Sequence, residues 1–208
     1  MVCTSQTLAA QAGLDMLKRG GNAIDAALAT AIALTVLEPT SNGLGSDAFA
    51  LVWTGGKLYG LNGSGWAPER RTWEAWRARG LEEMPLRGWT PVMVPGAPAA
   101  WAELHGRFGR LPFADLFEPA IAYAAEGYAV MPNLACMFAE GETSFAPYRT
   151  EEAFQGLFST FYPKGKALKA GQILKLPDHA RSLRLLAQSR CRDFYEGEMA
   201  EAMDAWAK

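Results

Sequence analysis

The sequence is poor in the side chains that hold metals, disulfides and catalytic triads. It has three cysteines, far apart along the chain, and two histidines. An odd number of cysteines without metal-ligand spacing excludes a disulfide framework and a zinc site, and it predicts a reducing compartment. Neither His105 nor His179 has a Ser or Cys motif beside it, so no nucleophile–histidine pair can be assigned. We therefore expect no metal and no cofactor.

Runs of like charge and a signal sequence are also missing. The 20 basic and 22 acidic side chains give a formal net charge of −2, which predicts neither a nucleic-acid interface nor a membrane-binding surface. No basic segment leads into an apolar stretch near Met1, so we expect a cytoplasmic protein. Small molecules or other proteins remain as partners. Because 50% of the residues are hydrophobic, we expect one folded domain over residues 1–208.

Long hydrophobic runs are absent as well. The most apolar tract, residues 23–37, contains Asp25 and is shorter than the roughly 20 residues that a membrane-spanning helix needs. It is therefore predicted to be a helix in a globular core. Asn22 is a good N-cap, and Glu38-Pro39 ends the helix. A shorter helix precedes it and ends at Gly20-Gly21. The low charge of residues 1–68 predicts that this front third is mostly buried.

The remaining patterns predict a mixture of strands and helices. Two strand-like runs, residues 48–54 and 57–62, flank Gly55-Gly56, which is the spacing of a tight β-hairpin. Residues typical of helix starts and ends mark further segments as helices. The predicted helices are residues 72–79, 99–108, 112–126, 133–140 and 177–207, the last split near 190–193, with a loop over 162–176. The six tryptophans from Trp53 to Trp101 are interpreted as core and rim aromatics.

The glycine loop after the apolar helix, residues 41–49 (SNGLGSDAF), contains only a fragment of a phosphate-binding pattern. A helix precedes it and a strand follows it, the reverse of the order that points backbone amides at phosphate. A nucleotide site is therefore not predicted. The loop can bring backbone close to a ligand or simply join a helix to a strand. Asp47 is interpreted as a turn cap, with contact to a substrate amine as the alternative.

Several of these segments, taken in order, resemble the gamma-glutamyltransferase (gamma-glutamyltranspeptidase) family, in the N-terminal part of its large subunit. The resemblance covers nearly the whole chain. The matching blocks are residues 19–27 (RGGNAIDAA), 38–39 (EP), 43–49 (GLGSDAF), 62–68 (NGSGWAP), 94–96 (VPG), 109–112 (GRLP), 119–121 (PAI) and 193–197 (DFYEG) with Ala200.

This resemblance implies an α+β fold of the N-terminal nucleophile (Ntn) hydrolase type, a four-layer αββα sandwich of which this chain provides the helix-rich N-terminal part. It also implies a small-molecule amide or peptide substrate. In that family a threonine at the head of the small subunit attacks the amide, with its own amino group as base. This sequence has no Thr shortly before a histidine, and it ends within the large-subunit region. We therefore expect it to contain no catalytic residue and to need the missing C-terminal or small-subunit segment as a partner.

The resemblance also implies a substrate-binding segment at Asn62, Gly63 and Ser64. The family's usual residue at the position of Ser64 is an arginine that binds the α-carboxylate of a γ-glutamyl group. A hydroxyl cannot reproduce that bidentate contact. Arg70 and Arg71 are alternatives, although they follow Pro68 and are expected to face solvent. Use of glutathione is therefore in question, and an acylase or amidohydrolase with another acyl group is an equal prediction.

A second interpretation stays open, in which the chain is a binding module or remnant without turnover. The sequence that follows this one in the genome distinguishes the two hypotheses. A downstream segment encoding a Thr-initiated small subunit would favour the enzyme, and unrelated sequence would favour the remnant. If the complementary strands are missing, a hydrophobic sheet face and a strand edge should be exposed. Such exposure would favour a homo-oligomer or aggregation.

Overall fold

The computed structural model describes residues 1–80 and 82–207 as a helix-rich α+β fold. The domain predicted from the sequence also includes Leu81 and Lys208, which lie outside the described residues. The helices are α1 (Thr7–Lys18), α2 (Ala23–Leu37), α3 (Trp73–Ala78), α4 (Ala97–Phe108), α5 (Glu118–Glu126), α6 (Pro132–Ser144), α7 (Gln155–Phe161), α8 (Pro177–Ser189), α9 (Asp193–Glu196) and α10 (Glu198–Ala207). The strands form two antiparallel pairs, β1 (Ala48–Thr54) with β2 (Lys57–Gly63) and β3 (Tyr128–Ala129) with β4 (Ile173–Leu174).

Helix α2 lies at the centre of the core, as its apolar sequence predicts. Ten of its 15 residues are buried, and it packs against α1 on one side and α5 on another. Small residues allow α1 to approach closely, because a Cβ added to Gly13 would lie 2.3 Å from Thr30 Oγ1 and 2.8 Å from the carbonyl oxygen of Ala26. Within the described residues, no helix is both long and apolar enough to cross a bilayer.

The start of α2 is held by the carboxylate of Asp25, which is fully buried. Its Oδ2 accepts hydrogen bonds from the backbone N–H of Asn22 (2.8 Å), and the Asn22 Oδ1 accepts from Asp25 N in return (3.1 Å), which completes a capping box. The same carboxylate accepts from Arg110 N at 3.0 Å and Leu111 N at 3.3 Å. Asn22 Nδ2 adds a bond to the Phe108 carbonyl oxygen at 2.6 Å. Residues 19–27 and 109–112 are therefore joined by partly buried hydrogen bonds.

The predicted β-hairpin is present, with Phe49 paired to Asn62 and Val52 to Tyr59. Gly55 (φ 57°) and Gly56 (φ 73°) both have positive φ, as a two-residue turn of this kind requires. The face carrying Val52 lies toward α4, with which both strands pack. The opposite face is apolar and open: the exposed fractions are 64% for Phe49, 79% for Leu51, 71% for Trp53 and 62% for Leu58.

This open face corrects one prediction and confirms another. The front third of the chain is not mostly buried, because its low charge reflects a strand face that no described residue covers. Exposure of a hydrophobic sheet face is confirmed. Whether the exposed face causes oligomerisation stays a prediction. The tryptophans, predicted to be core and rim aromatics, include both buried and exposed residues: Trp101 is buried, whereas Trp66 and Trp73 are exposed.

Several other boundaries differ from those predicted. The segment predicted as one helix over 112–126 is a 3-10 turn, Phe113–Phe117, followed by α5; Pro119 in the first turn of α5 cannot donate a backbone hydrogen bond, which favours a new helix start there. Strand β4 lies within the predicted loop 162–176. The split near 190–193 is confirmed, since Arg190 and Cys191 have positive φ. Cys191 is buried, which raises the pKa of its thiol to about 12.

Replacing the buried carboxylate tests its role in the fold. Asp25→Asn keeps the shape but turns one acceptor into a donor that faces backbone N–H groups. We expect it to lower the free energy of unfolding by about 2–4 kcal/mol, measured by urea denaturation. The matched control is Asp15→Asn, which removes an exposed ion pair with Lys18 (3.2 Å) and should cost at most about 1 kcal/mol. Equal losses in the two variants would show that Asp25 has no special role.

His179 makes stability depend on pH in a defined direction. It lies in the first turn of α8, close to the Phe161 ring, and burial lowers its pKa below the ordinary 6.5. The unfolded chain therefore binds this proton more readily, so the contribution of neutral His179 is complete above pH 6.5 and is lost as the pH falls toward the lower folded pKa. His179→Gln should flatten that part of a urea-denaturation series. Identical slopes for the two proteins over this range would contradict the assignment.

Candidate functional site

The three residues predicted to bind substrate lie at the end of β2, beside a cleft of ≈ 590 Å³ between the hairpin and α4. Asn62 and Gly63 line this cleft, together with Trp66, Glu103 and Arg107 among others. Ser64 is exposed next to them. The structure thus brings the predicted segment to a concave surface, and its role in binding stays a prediction.

Three glycines allow the backbone segments around the cleft to touch. A Cβ on Gly63 would lie 2.9 Å from both the Ala100 Cβ and the Ala48 carbonyl oxygen, and one on Gly96 would lie 2.0 Å from the Gly63 carbonyl oxygen. Gly65 has φ +81°, and its added Cβ would lie 1.9 Å from the Val94 carbonyl oxygen. These contacts leave no room for side chains. Glycine at positions 63, 65 and 96 therefore allows the backbones of the sequence blocks 62–68 and 94–96 to lie against each other.

The N-terminus of α4 forms the back of this arrangement, and its free amides are satisfied from elsewhere in the chain. Gly96, the N-cap, has no side chain to offer. The Ala97 N–H instead donates to the Ser46 carbonyl oxygen at 3.0 Å. The Ala99 N–H donates to the Tyr195 hydroxyl at 3.2 Å, and that hydroxyl donates to the Pro95 carbonyl oxygen at 2.7 Å. Tyr195 therefore acts as a remote helix cap.

Sequence reasoning missed this function of Tyr195. The only available signal was the block DFYEG, which pointed to the family without suggesting a contact 96 residues away along the chain. The neighbouring Asp193 in the same block caps the next helix, since its Oδ1 accepts from Glu198 N at 3.2 Å and its Oδ2 from Met199 N at 3.3 Å. Burial raises the pKa of Tyr195, so its hydroxyl keeps its proton at neutral pH.

Two loop side chains have roles other than those expected. The Asn62 Oδ1 accepts from Ser64 N at 3.0 Å, which fixes the turn after β2. In the glycine loop the turn cap is Ser46, whose hydroxyl accepts from Gly43 N at 2.9 Å. The turn-cap interpretation of Asp47 is therefore wrong, because the neighbouring serine already satisfies that amide and Asp47 is exposed.

The cleft has binding groups but no nucleophile with a base beside it among the described residues that line it. Glu103 and Arg107 form an ion pair on α4, 2.5 Å from Nε to Oε1. Tyr59 contributes an aromatic wall through its contact with Phe108, with ring centroids 5.2 Å apart. These side chains can bind and orient a ligand.

The hydroxyl of Tyr195 can be tested without removing its ring. We expect Tyr195→Phe to lower the free energy of unfolding by about 1–2 kcal/mol and to speed hydrogen exchange of the Ala99 amide, because that N–H loses its acceptor. Tyr148→Phe is the control, since its stacked contact with Phe154 (4.7 Å) needs only the ring. The cap is disproved if Ala99 exchanges equally fast in both variants.

Several known proteins are similar to this chain over nearly its whole length. The family model described as Gamma-glutamyltranspeptidase matches residues 9–208. The acylase ACY 1 proenzyme of Pseudomonas sp. (strain SE83) is 34% identical over 213 residues, covering 98% of this chain and 37% of the relative. Cephalosporin acylase from Bacillus halodurans has a structure with a TM-score of 0.96 and 56% identity, covering 99% of this chain and 38% of that one. Gamma-glutamyltranspeptidase from Pseudomonas nitroreducens has a TM-score of 0.85 and 31% identity, covering 99% and 59%.

These matches cover very different shares of the two proteins compared. They include nearly all of this chain, yet the chain spans only 37% of the length of the curated acylase. The part matched is the N-terminal part of the large subunit, as the order of the sequence blocks predicts. Because the family model covers residues 9–208, and the blocks 62–68, 94–96 and 193–197 all contribute residues to one cleft, the chain belongs to the gamma-glutamyltranspeptidase family.

Proposed function

We propose that this chain forms the N-terminal part of the large subunit of an Ntn hydrolase that hydrolyses or transfers acyl amides. The remaining strands of the αββα sandwich, and the N-terminal threonine that attacks the amide carbonyl, come from segments beyond these residues. The observation that carries this proposal is that three family blocks, residues 62–68, 94–96 and 193–197, contribute residues to one cleft. A fourth block, residues 43–49, supports its wall through the bond from Ala97 N–H to the Ser46 carbonyl oxygen. The cleft then forms one wall of the acyl site.

In this proposal Asn62, Gly63 and Ser64 contact the acyl group. Ser64 stands where the family resemblance places an arginine, and its exposed hydroxyl can make a single hydrogen bond to a carboxylate. A guanidinium makes two parallel bonds with charge assistance. We therefore propose that acyl groups without an α-carboxylate are preferred over γ-glutamyl groups. The names of two relatives, acylase ACY 1 and cephalosporin acylase, support this preference.

Use of γ-glutamyl amides is the second candidate. It is favoured by the glutathione hydrolase proenzyme of Pseudomonas aeruginosa, which is 31% identical over 199 residues. The two candidates differ in whether the acyl group carries an α-carboxylate that the site must bind. They share the same fold, the same cleft and the same need for a separate nucleophile.

The partner in either case is the small-subunit segment. The open apolar face of the hairpin is a suitable surface for that segment because burying four large apolar side chains there would be strongly favourable. A homo-oligomer and a cytoplasmic location also stay predictions from the sequence.

A chimera can test the acyl preference. Residues 1–208 would replace the matching part of the Bacillus halodurans acylase, whose chain would supply the rest. We expect turnover of a butyryl anilide in preference to a γ-glutamyl anilide. Ser64→Arg should raise the ratio of kcat/KM for γ-glutamyl over butyryl by about tenfold or more, because a charged bidentate contact is gained.

Ser64→Gln is the matched control, since it adds a long polar side chain without charge, and it should leave the ratio nearly unchanged. A chimera that already prefers γ-glutamyl, and whose ratio does not respond to Ser64→Arg, would contradict the placement of the acyl site. Absence of turnover on every anilide, in a chimera that folds and self-processes, would favour the binding-module hypothesis.

A further inference from the structure

A second groove lies next to the cleft, between the α3 region and α10, with a volume of ≈ 650 Å³. We call it the arginine groove, and it is defined by Arg70, Arg71, Arg79, Trp76, Trp89 and Met203. Val94, Pro95 and Tyr195 line both the groove and the cleft. The backbone held by Tyr195 thus forms a wall shared by the two concave surfaces.

The lining of the groove has an excess of positive charge. Three arginines and one carboxylate, Asp204, belong to it. None of the ion pairs found within residues 1–80 and 82–207 involves Arg70, Arg71 or Arg79. The sequence expectation that Arg70 and Arg71 simply face solvent is therefore incomplete, because both line a concave surface.

The three arginines have different local contacts. Arg71 donates from its terminal nitrogens to the Val92 carbonyl oxygen at 2.5 Å and to the Met93 Sδ at 3.4 Å. It therefore ties the segment carrying Trp89 to the start of α3. Within residues 1–80 and 82–207, the Arg79 side chain makes one hydrogen bond, from a terminal nitrogen to the Thr90 Oγ1 at 3.3 Å. Most of its five donors therefore remain for a ligand. Arg70 lines the groove and has no side-chain hydrogen bond or ion pair with another residue in the part of the chain that the structure describes, so its guanidinium is available to a ligand.

The rest of the lining suits a flat apolar body. Trp76 is partly buried and Trp89 is 44% exposed, so both ring systems can contact an occupant. Met93 and Met203 add polarizable side chains that fit aromatic rings. Arginine near such surfaces binds a carboxylate through a planar fork and also stacks on aromatic faces.

We propose that the arginine groove binds a small aromatic carboxylate. Arg70 and Arg79 donate hydrogen bonds to the carboxylate, Trp76 and Trp89 contact the ring, and Arg71 is a positioning residue that holds the wall carrying Trp89. This binding is independent of the proposed acyl transfer, because it uses none of the residues assigned to the acyl group.

Phenylacetate and its neutral counterpart phenylacetamide are suitable probes, since they share shape and differ in charge. Binding to the uniformly ¹⁵N-labelled 208-residue chain would be followed by the tryptophan indole N–H signals in NMR spectra. We expect phenylacetate to shift the Trp76 and Trp89 signals and to bind at least about tenfold more tightly than phenylacetamide. Added salt should weaken phenylacetate binding and leave phenylacetamide binding nearly constant.

Variants on the same helix region separate the site from general charge effects. Arg70→Gln and Arg79→Gln should each weaken phenylacetate binding about tenfold. Arg77→Gln is the matched control, because Arg77 lies on α3 between these two positions but stacks on Trp73 at 4.9 Å and does not line the groove. The Tyr195 and Ala99 amide signals report whether each variant keeps its fold.

Three results would overturn the proposal. One is equal affinity for phenylacetate and phenylacetamide, and another is an Arg77→Gln effect as large as that of Arg70→Gln. The third is a shift confined to Trp53 and Trp66, which would place the probe on the hairpin or in the cleft. Selective loss in the two groove variants, with the fold intact, would establish the site.

Discussion

The carboxylate of Asp25 is the constraint on which the placement of the core depends. Burying an ionised group is costly unless hydrogen bonds replace its hydration, and here backbone N–H groups from two separate turns provide them. One turn starts α2 and the other joins α4 to the 3-10 turn before α5. Since α2 packs against both α1 and α5, fixing its first turn fixes the positions of its neighbours. At its other end the Tyr128 hydroxyl donates to the Val36 carbonyl oxygen at 2.6 Å, so both ends are anchored.

The same principle, in which distant groups satisfy helix ends, shapes the cleft. Helix α4 begins at a glycine that has no capping side chain, and its first amides are bonded by Ser46 and Tyr195. Glycine at position 96 is needed for close packing against Gly63, which rules out an ordinary side-chain cap at that position. The need for contact and the need for a cap therefore compete, and the chain satisfies both by placing the cap on a remote tyrosine.

Sequence reasoning succeeded where a structure depends on neighbouring residues. The Asn22 cap, the glycine pair of the hairpin and the end of α2 near Pro39 all follow from local rules of backbone geometry. It failed where an outcome depends on residues far apart. The cap formed by Tyr195, the cooperation of Ser46 with Ala97 and the gathering of Arg70 with Arg79 in one groove have no local pattern. The low charge of the hairpin predicted that it is buried. Charge alone does not indicate whether the residues that would bury it belong to this chain or to another segment.

In the predicted binding segment, residues 62–64, the backbone is fixed by its neighbours whereas the side chain at position 64 is free to vary. The glycines at 63, 65 and 96 fix the backbone after β2, and Asn62 fixes the Ser64 amide. With the backbone so constrained, the side chain at position 64 can change from guanidinium to hydroxyl without altering the fold around it. In the proposed site, a change of acyl preference would therefore require one exposed side chain and no rearrangement of the core. Relatives named as glutathione hydrolases and relatives named as acylases both match nearly the whole chain, and the role proposed for Ser64 would let one backbone accept either acyl group.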